Sequence, residues 1–195
     1  IEFNLRKIND HGTRADSIVK SMLQHSRGGS GKMEPTKINS LIKEYTNLAF
    51  HGMRAGKNAF NLDLDLDLEP DLGDVNLIAE DFSRVLLNLC NNAFDAMRDK
   101  ITSSRELSDN YLPKLSVRTK RNGSSVTIEV EDNGPGISEE MKDKIMQPFF
   151  TTKKGTAGTG LGLSITNDII KAHGGNLTVK SSLGEGSVFI VKLTA

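Results

Sequence analysis

The chain has 195 residues, 36% of them hydrophobic, enough for one substantial core with an appendage but spread too thinly for two ordinary domains. Its 25 Lys and Arg balance 25 Asp and Glu, so there is no basic surplus to neutralise a phosphodiester backbone or anionic lipid, and nucleic-acid binding is disfavoured. The single Cys excludes an internal disulfide framework and a Cys-rich zinc site, which fits a reducing compartment.

Residues 4 to 27 read as one helix. Leu5, Ile8, Gly12, Ala15, Val19, Met22 and Ser26 are spaced alternately by three and four, a heptad seam that Gly12 and Ser26 thin and that Ile18 and Leu23 widen. Such a helix needs bundle partners. Gly28-Gly-Ser-Gly31 and Pro35 then predict a linker near 28 to 35, with an appendage of residues 1–32 and a main domain of 33–195. Ile38, Leu41, Ile42, Tyr45, Leu48 and Ala49 mark an amphipathic helix.

Residues 60 to 68 alternate Leu and Asp, beginning Phe60, Leu62, Leu64, which predicts a strand with one wet face. The acids project from a straight strand, with no Gly-containing loop or closing Glu to wrap calcium, so a solvated face is the reading. A helix is expected over 80–98, with a core stripe of Phe82, Val85, Leu86, Leu89, Ala93 and Met97. A polar loop follows at 102–113. Strands near 115–121 and 126–132 are joined by Asn122-Gly123, a hairpin signal. Ser138 reads as the cap of a short helix, a Gly-rich loop spans 155–160, and a helix runs from about 161 to Ala172 before Gly174-Gly175 stops it. Strands near 176–182 and 187–194 complete the chain.

Three features carry chemistry. Asn88 and Asn92 lie four apart and share a helix face beside the apolar stripe, which is either a polar surface or a place where something polar binds. Asp132 continues the inward phase of Val126, Ile128 and Val130, and a carboxylate facing a core needs donors. The glycines of the following Asn133-Gly-Pro-Gly-Ile137 let backbone approach a flat ligand, although the run is also turn-rich. Gly155-Thr-Ala-Gly-Thr-Gly-Leu-Gly162 opens a helix, offering amides and dipole potential to phosphate. It is neither a P-loop nor a dinucleotide fingerprint.

In order and spacing, residues 36 to 195 resemble the ATP-binding domain of sensor histidine kinases, which is shared with gyrase-type topoisomerases, MutL-type repair ATPases and heat-shock chaperones. Arg84-Val-Leu-Leu-Asn-Leu-Cys-Asn-Asn-Ala-Phe-Asp-Ala-Met97 resembles the asparagine box of that superfamily, and Asp132-Asn-Gly-Pro-Gly-Ile137 its first glycine box. Gln147-Pro-Phe-Phe-Thr-Thr-Lys153 is similar to the phenylalanine box, Gly158-Thr-Gly-Leu-Gly-Leu163 to the second glycine box and Gly184-Glu-Gly-Ser-Val-Phe189 to a final one. The resemblance implies an α/β two-layer sandwich of the Bergerat type, a mixed sheet with helices on one face, preceded by the long N-terminal helix.

The resemblance further implies ATP and Mg2+ as ligands. Asp132 would accept from the adenine amino group, Asn92 would coordinate magnesium, and Asn88 would support metal or phosphates. Gly134, Gly136 and Ile137 would line the base. Gly158, Thr159, Gly160, Leu161 and Gly162 would hold phosphates, with Lys153 as a cation. Residues 138–158 would form a mobile lid anchored by Phe149 and Phe150. Asp95 departs from the pattern, since many kinases carry a basic residue there, and Arg98 is a candidate substitute.

Hydrolytic members place a water-activating Glu one turn before the magnesium Asn, and Asn88 cannot be a general base. Phosphoryl transfer to a delivered nucleophile needs chiefly positioning, so a kinase is favoured over an ATP-hydrolysing switch of the gyrase or MutL kind. Arg14 to Arg27 resembles the end of a dimerisation hairpin. None of His11, His25, His51 and His173 has the acidic follower of the family's acceptor, so an acceptor outside the chain is expected. The implied partners are a response regulator receiver domain and a second copy joined through the full hairpin. No apolar run approaches the roughly 18 to 20 residues of a spanning helix, and no signal peptide is evident. The expectation is a cytoplasmic piece without membrane contact of its own. It begins at Ile1, with Glu2-Phe3 readable as a cloning remnant, and the expectation is a piece excised from a longer, membrane-anchored sensor.

Overall fold

Leu64, Leu66 and Leu68 turn inward from β2 (Asp63–Leu68) while Asp63, Asp65 and Asp67 are exposed, so period two divides this strand as expected. The computed structural model describes residues 31–103, 111–153 and 158–194, together with Leu5, Gly12, Ala15, Asp16 and Val19. Those five isolated positions are helical and exposed. The rest of the expected 4–27 helix, including Ile8, Met22, His11 and His25, lies outside the described residues, as do residues 104–110 and 154–157.

The main sheet has strand order β2-β4-β5-β7-β6, with β4 (Lys114–Asn122), β5 (Ser125–Asp132), β6 (Asn176–Ser182) and β7 (Gly186–Thr194). β2 runs parallel to β4, and the other pairings are antiparallel. The sheet is therefore mixed. Helices α1 (Ile38–Ala55), α2 (Ala79–Ser103) and α4 (Gly162–Ala172) cover one face. Ile38, Ile42 and Met53 of α1 and Phe82, Val85, Leu86, Leu89 and Met97 of α2 bury against Leu115, Val117, Val126, Ile128 and Val130 of the sheet. On the open face Lys114 of β4 answers two β2 acids, its Nζ 3.3 Å from Asp65 and 3.9 Å from Asp63. α2 has the expected stripe but is longer at its C-terminal end, where Thr102 and Ser103 hydroxyls bond back to Arg98 and Asp99 carbonyls. The loop expected from residue 102 is thus helical at its start.

A second, two-stranded sheet was not expected. β1 (Glu34–Thr36) pairs antiparallel with β3 (Val75–Leu77), opposing Pro35 and Asn76. Pro35 is therefore in a strand and not in the linker assigned to 28–35; a two-stranded ribbon leaves one side of each strand unpaired, so a missing N–H is tolerated there. The β4–β5 turn is Gly123-Ser124, one position later than expected, with Asn122 opposite Ser125 and Gly123 at φ 62°, the conformation its first central position demands. Ser138 precedes the short α3 (Glu139–Lys142), yet its side chain makes no capping bond. At the end of α4, His173 is buried; its Nε2 accepts from the Ile78 N–H at 2.9 Å and its Nδ1 meets Ile169 O at 2.7 Å. Nε2 ties the end of α4 to the residue before α2, while Nδ1 bonds back into the last turn of α4. Among the described residues no helix is long and apolar enough to cross a membrane.

Candidate functional site

Asn92 from α2 and Asp132 from the end of β5 open onto one cavity of about 480 Å³, within the span of small-molecule sites. The turn after β5, the Phe150–Lys153 segment and the glycine-rich entry to α4 complete its wall. Its lining includes Gly136, Ile137, Phe150, Lys153, Gly158, Thr159, Gly160 and Gly162.

Asp132 is 4% exposed. Its Oδ1 accepts from the Gly134 N–H at 2.8 Å. Burial pushes this carboxyl up to about 6, against the Gly134 amide, the Lys100 charge and a Ser187 amide, which favour the ionised form, while Glu131 adds to the rise. A carboxyl whose ionised form is opposed by burial gains from a further donor, and a ligand N–H in the cavity can supply one. A Cβ on Gly134 would stand 2.6 Å from that same Oδ1 and 3.1 Å from Ala96 Cβ, and one on Gly136, at φ 75°, would stand 2.0 Å from Ser182 O. Only glycine allows the turn to lie this close.

On the other side of the cavity, Leu161 occupies the N-cap of α4 without a side-chain capping bond. The first-turn amides there lack intrahelical acceptors, which suits an anion. Gly160 lies at φ 71°, and a Cβ there would stand 2.4 Å from the Phe149 carbonyl carbon. Phe149 is itself at φ 67° and 52% exposed. Phe150 alone of the pair lines the cavity, which corrects the expectation that both phenylalanines anchor a lid. Lys153 Nζ is ion-paired with Asp95 of α2, and Arg98 Nη1 reaches the other oxygen of that carboxylate at 2.6 Å. Arg98 also donates to Asn58 O at 3.3 Å and lies over the Phe60 ring. It is not part of the cavity wall, so the substitution of Arg98 for a basic residue at 95 is not realised.

Asn88, Gly134 and Leu161 do not line the cavity. Asn88 Nδ2 donates to Gly162 O at 3.3 Å and Thr166 Oγ1 at 3.4 Å, tying α2 to the entry of α4. Sequence reasoning missed Ala96 and Asp99, one and two turns beyond Asn92, which also line the cavity. Their spacing of about 3.6 residues per turn from Asn92 was the available signal. It also missed Lys100 and Tyr111. The Cys90 thiol is buried, which pushes it up to about 11 and leaves it inert.

The model of the histidine kinase-, DNA gyrase B- and HSP90-like ATPases matches residues 78–195. The chain belongs to this family. It is 34% identical over 193 residues to the sensor kinase CckA of Brucella abortus, spanning 97% of this chain and 20% of that protein. With the signal transduction histidine-protein kinase AtoS of Escherichia coli it shares 33% over 179 residues, 91% of this chain and 26% of that one. The chain thus spans about a fifth to a quarter of the length of these curated relatives. The solved catalytic domain of histidine kinase ThkA superposes with TM-score 0.66 at 32% identity, covering 84% of this chain and 95% of that domain. Full-length ShkA in complex with AMPPNP superposes with TM-score 0.71 at 22% identity, covering 99% of this chain and 38% of that one, a likeness of fold. The five-stranded mixed sheet with its helical layer is the fold of a histidine kinase catalytic domain, and ATP is the nucleotide of the family.

Proposed function

We propose that the chain is the ATP-binding catalytic core of a two-component sensor kinase, which transfers the γ-phosphoryl group to a histidine. The observation that carries this reading is the buried carboxylate of Asp132, held by a glycine turn and facing a cavity whose far wall is the α4 N-terminus. The carboxylate would accept from the adenine amino group. The amides near Gly158, Thr159, Gly160, Leu161 and Gly162 would take phosphate oxygens, with Lys153 moving onto them from Asp95. Asn92 offers a side-chain oxygen inside the cavity, and magnesium takes few protein oxygens when phosphates supply others, so the residues fit a Mg2+ ion held by Asn92. That ion would neutralise charge on the phosphates.

In the transfer, the bond from the γ-phosphorus to the bridging oxygen breaks, a nitrogen of the acceptor imidazole bonds to phosphorus, and ADP leaves. Asn88 supports this over hydrolysis: the turn before Asn92 carries an amide committed to Gly162 and Thr166 rather than a carboxylate. Of the histidines, His173 has both nitrogens engaged. The acceptor would belong to a hairpin that joins a second copy and lies outside the described residues, and the product phosphohistidine would be passed to a receiver domain inside the cytoplasm.

The test is incubation with γ-labelled ATP and magnesium, alone and with an added hairpin bearing an acid-flanked histidine, followed by acid and base treatment. Acid-labile, base-stable label on the hairpin and little on the chain supports the proposal. Acid-labile label on this chain, lost in His11→Gln, places the acceptor within it. Rapid phosphate release without label favours the hydrolytic switch.

A further inference from the structure

Lys100 stands on α2 just over two turns beyond Asn92, outside the boxes by which the family is recognised. Its ammonium donates to the carbonyl oxygens of Asn133 at 2.8 Å, Gly134 at 3.0 Å and Gly184 at 2.9 Å. An ammonium has three N–H groups, so all are spent on carbonyls. The same nitrogen lies 4.8 Å from the centroid of the Tyr111 ring, whose hydroxyl donates to Asn133 O at 3.1 Å and meets Asn133 Oδ1 at 3.0 Å. Gly184, in the β6–β7 turn, in turn donates its N–H to Pro135 O at 2.7 Å. The glycine turn is thus clamped between α2 and that hairpin.

One peptide unit in this clamp carries the argument. The Asn133 carbonyl and the Gly134 N–H belong to the same planar amide. Lys100 holds its oxygen end and Asp132 Oδ1 receives its N–H end, at 2.8 Å each. Fixing the carbonyl fixes the direction of the N–H, and with it the rotamer of the buried carboxylate. We propose that Lys100 is the positioning residue for Asp132, aiming it so that the site selects a purine bearing an exocyclic amino group over one bearing a carbonyl there. The inference rests on the reading that Asp132 accepts from adenine.

The charges facing Asp132 are Lys100 from α2, which favours its ionised form, and Glu131 from its own strand, which opposes it; Tyr111 feels the Asp132 charge, and Asp99 shares the cavity. Replacing Lys100 by a neutral residue therefore moves the acid limb of ATP binding to higher pH as well as loosening the carboxylate. A brace that only held the fold together would leave the ATP-over-GTP preference unchanged.

The experiment is calorimetric titration of the chain with non-hydrolysable ATP and GTP analogues in magnesium, from about pH 5 to about pH 8, for wild type, Lys100→Met, Lys100→Arg and Asp132→Asn. Lys100→Met should lower the ATP-over-GTP preference about tenfold, through ATP affinity, and shift the acid limb upward. Lys100→Arg keeps the charge, so the limb stays, but its flat fork cannot meet three converging carbonyls and part of the preference is lost. Wild-type preference and limb in Lys100→Met overturn the proposal, as do equal losses for both nucleotides. Should Lys100→Met not fold, undiminished preference in Lys100→Arg overturns it and reduced preference supports it. A wild type without ATP preference, unchanged by Asp132→Asn, overturns the adenine reading and this inference with it.

Discussion

The Lys153 ammonium, part of the cavity wall, is ion-paired with Asp95, which lies one turn beyond Asn92 on α2. The cation expected on phosphate is therefore held by a carboxylate of α2. Both side chains are about a third exposed, at 27% and 33%, so solvent screens the pair and its worth is that of a surface bridge. Asp95→Asn should raise ATP affinity about two- to fivefold, by releasing Lys153 and removing a negative charge near the phosphates. Lys153→Ala should lower it, and the double variant should lie between the two, keeping only the gain from the removed negative charge. Titrations at low and high salt check this, since the gain should shrink as salt rises.

Asp132 gives a pH signature with a definite sign. Its folded value of about 6 lies above the ordinary 3.8, so between those values the native state binds more protons than the unfolded chain. Stability from this group is present at low pH and is lost as pH rises through about 4 to 6, and the penalty stands in full at neutral pH. Asp132→Asn should therefore raise the melting temperature at pH 7, on the order of 5 °C, with the gain gone near pH 4. Its ATP affinity should fall all the same. Differential scanning calorimetry across this range reads the first effect.

Gly160 and Gly174 separate backbone strain from crowding. Both have positive φ, 71° and 69°, but a Cβ on Gly160 meets the Phe149 backbone while one on Gly174 meets nothing within 4 Å. Each Ala substitution costs about 1–2 kcal/mol for the left-handed conformation. Gly174→Ala should show only that loss, with ATP affinity unchanged. Gly160→Ala should also push the Phe149–Lys153 segment away and cost at least about tenfold in ATP affinity. Paired denaturation and binding measurements distinguish them.

Most of the sheet and its helices were legible because each strand or helix is long and strongly periodic: the Leu-Asp alternation of β2, the Val126-Ile128-Val130-Asp132 phase of β5, the apolar stripe of α2. β1 and β3 were not legible, because three residues are too short for a period to show and Pro35 argues locally against a strand. The site residues that sit in glycine boxes or on a shared helix face could be read. Lys100 could not, because its role depends on where the β5 turn and the β6–β7 hairpin meet, a relation between residues more than 80 positions apart in one case. Asp95 illustrates a different limit. Its charge was legible as a departure, but its two partners, Arg98 and Lys153, are set by tertiary placement.

The central claim, that ATP binds in this cavity with its base read by Asp132 and its metal held by Asn92, is tested most directly by calorimetric titration with a non-hydrolysable ATP analogue. Wild type, Asp132→Ala and Asn92→Ala are compared with magnesium and with a chelator. The expectation is binding by wild type in magnesium, and a loss of about 1–3 kcal/mol in Asp132→Ala whether or not magnesium is present. Asn92→Ala should match wild type in chelator and fall below it only when magnesium is added. Asp132→Ala binding the analogue as tightly as wild type, or Asn92→Ala gaining from magnesium as much as wild type does, would contradict the account.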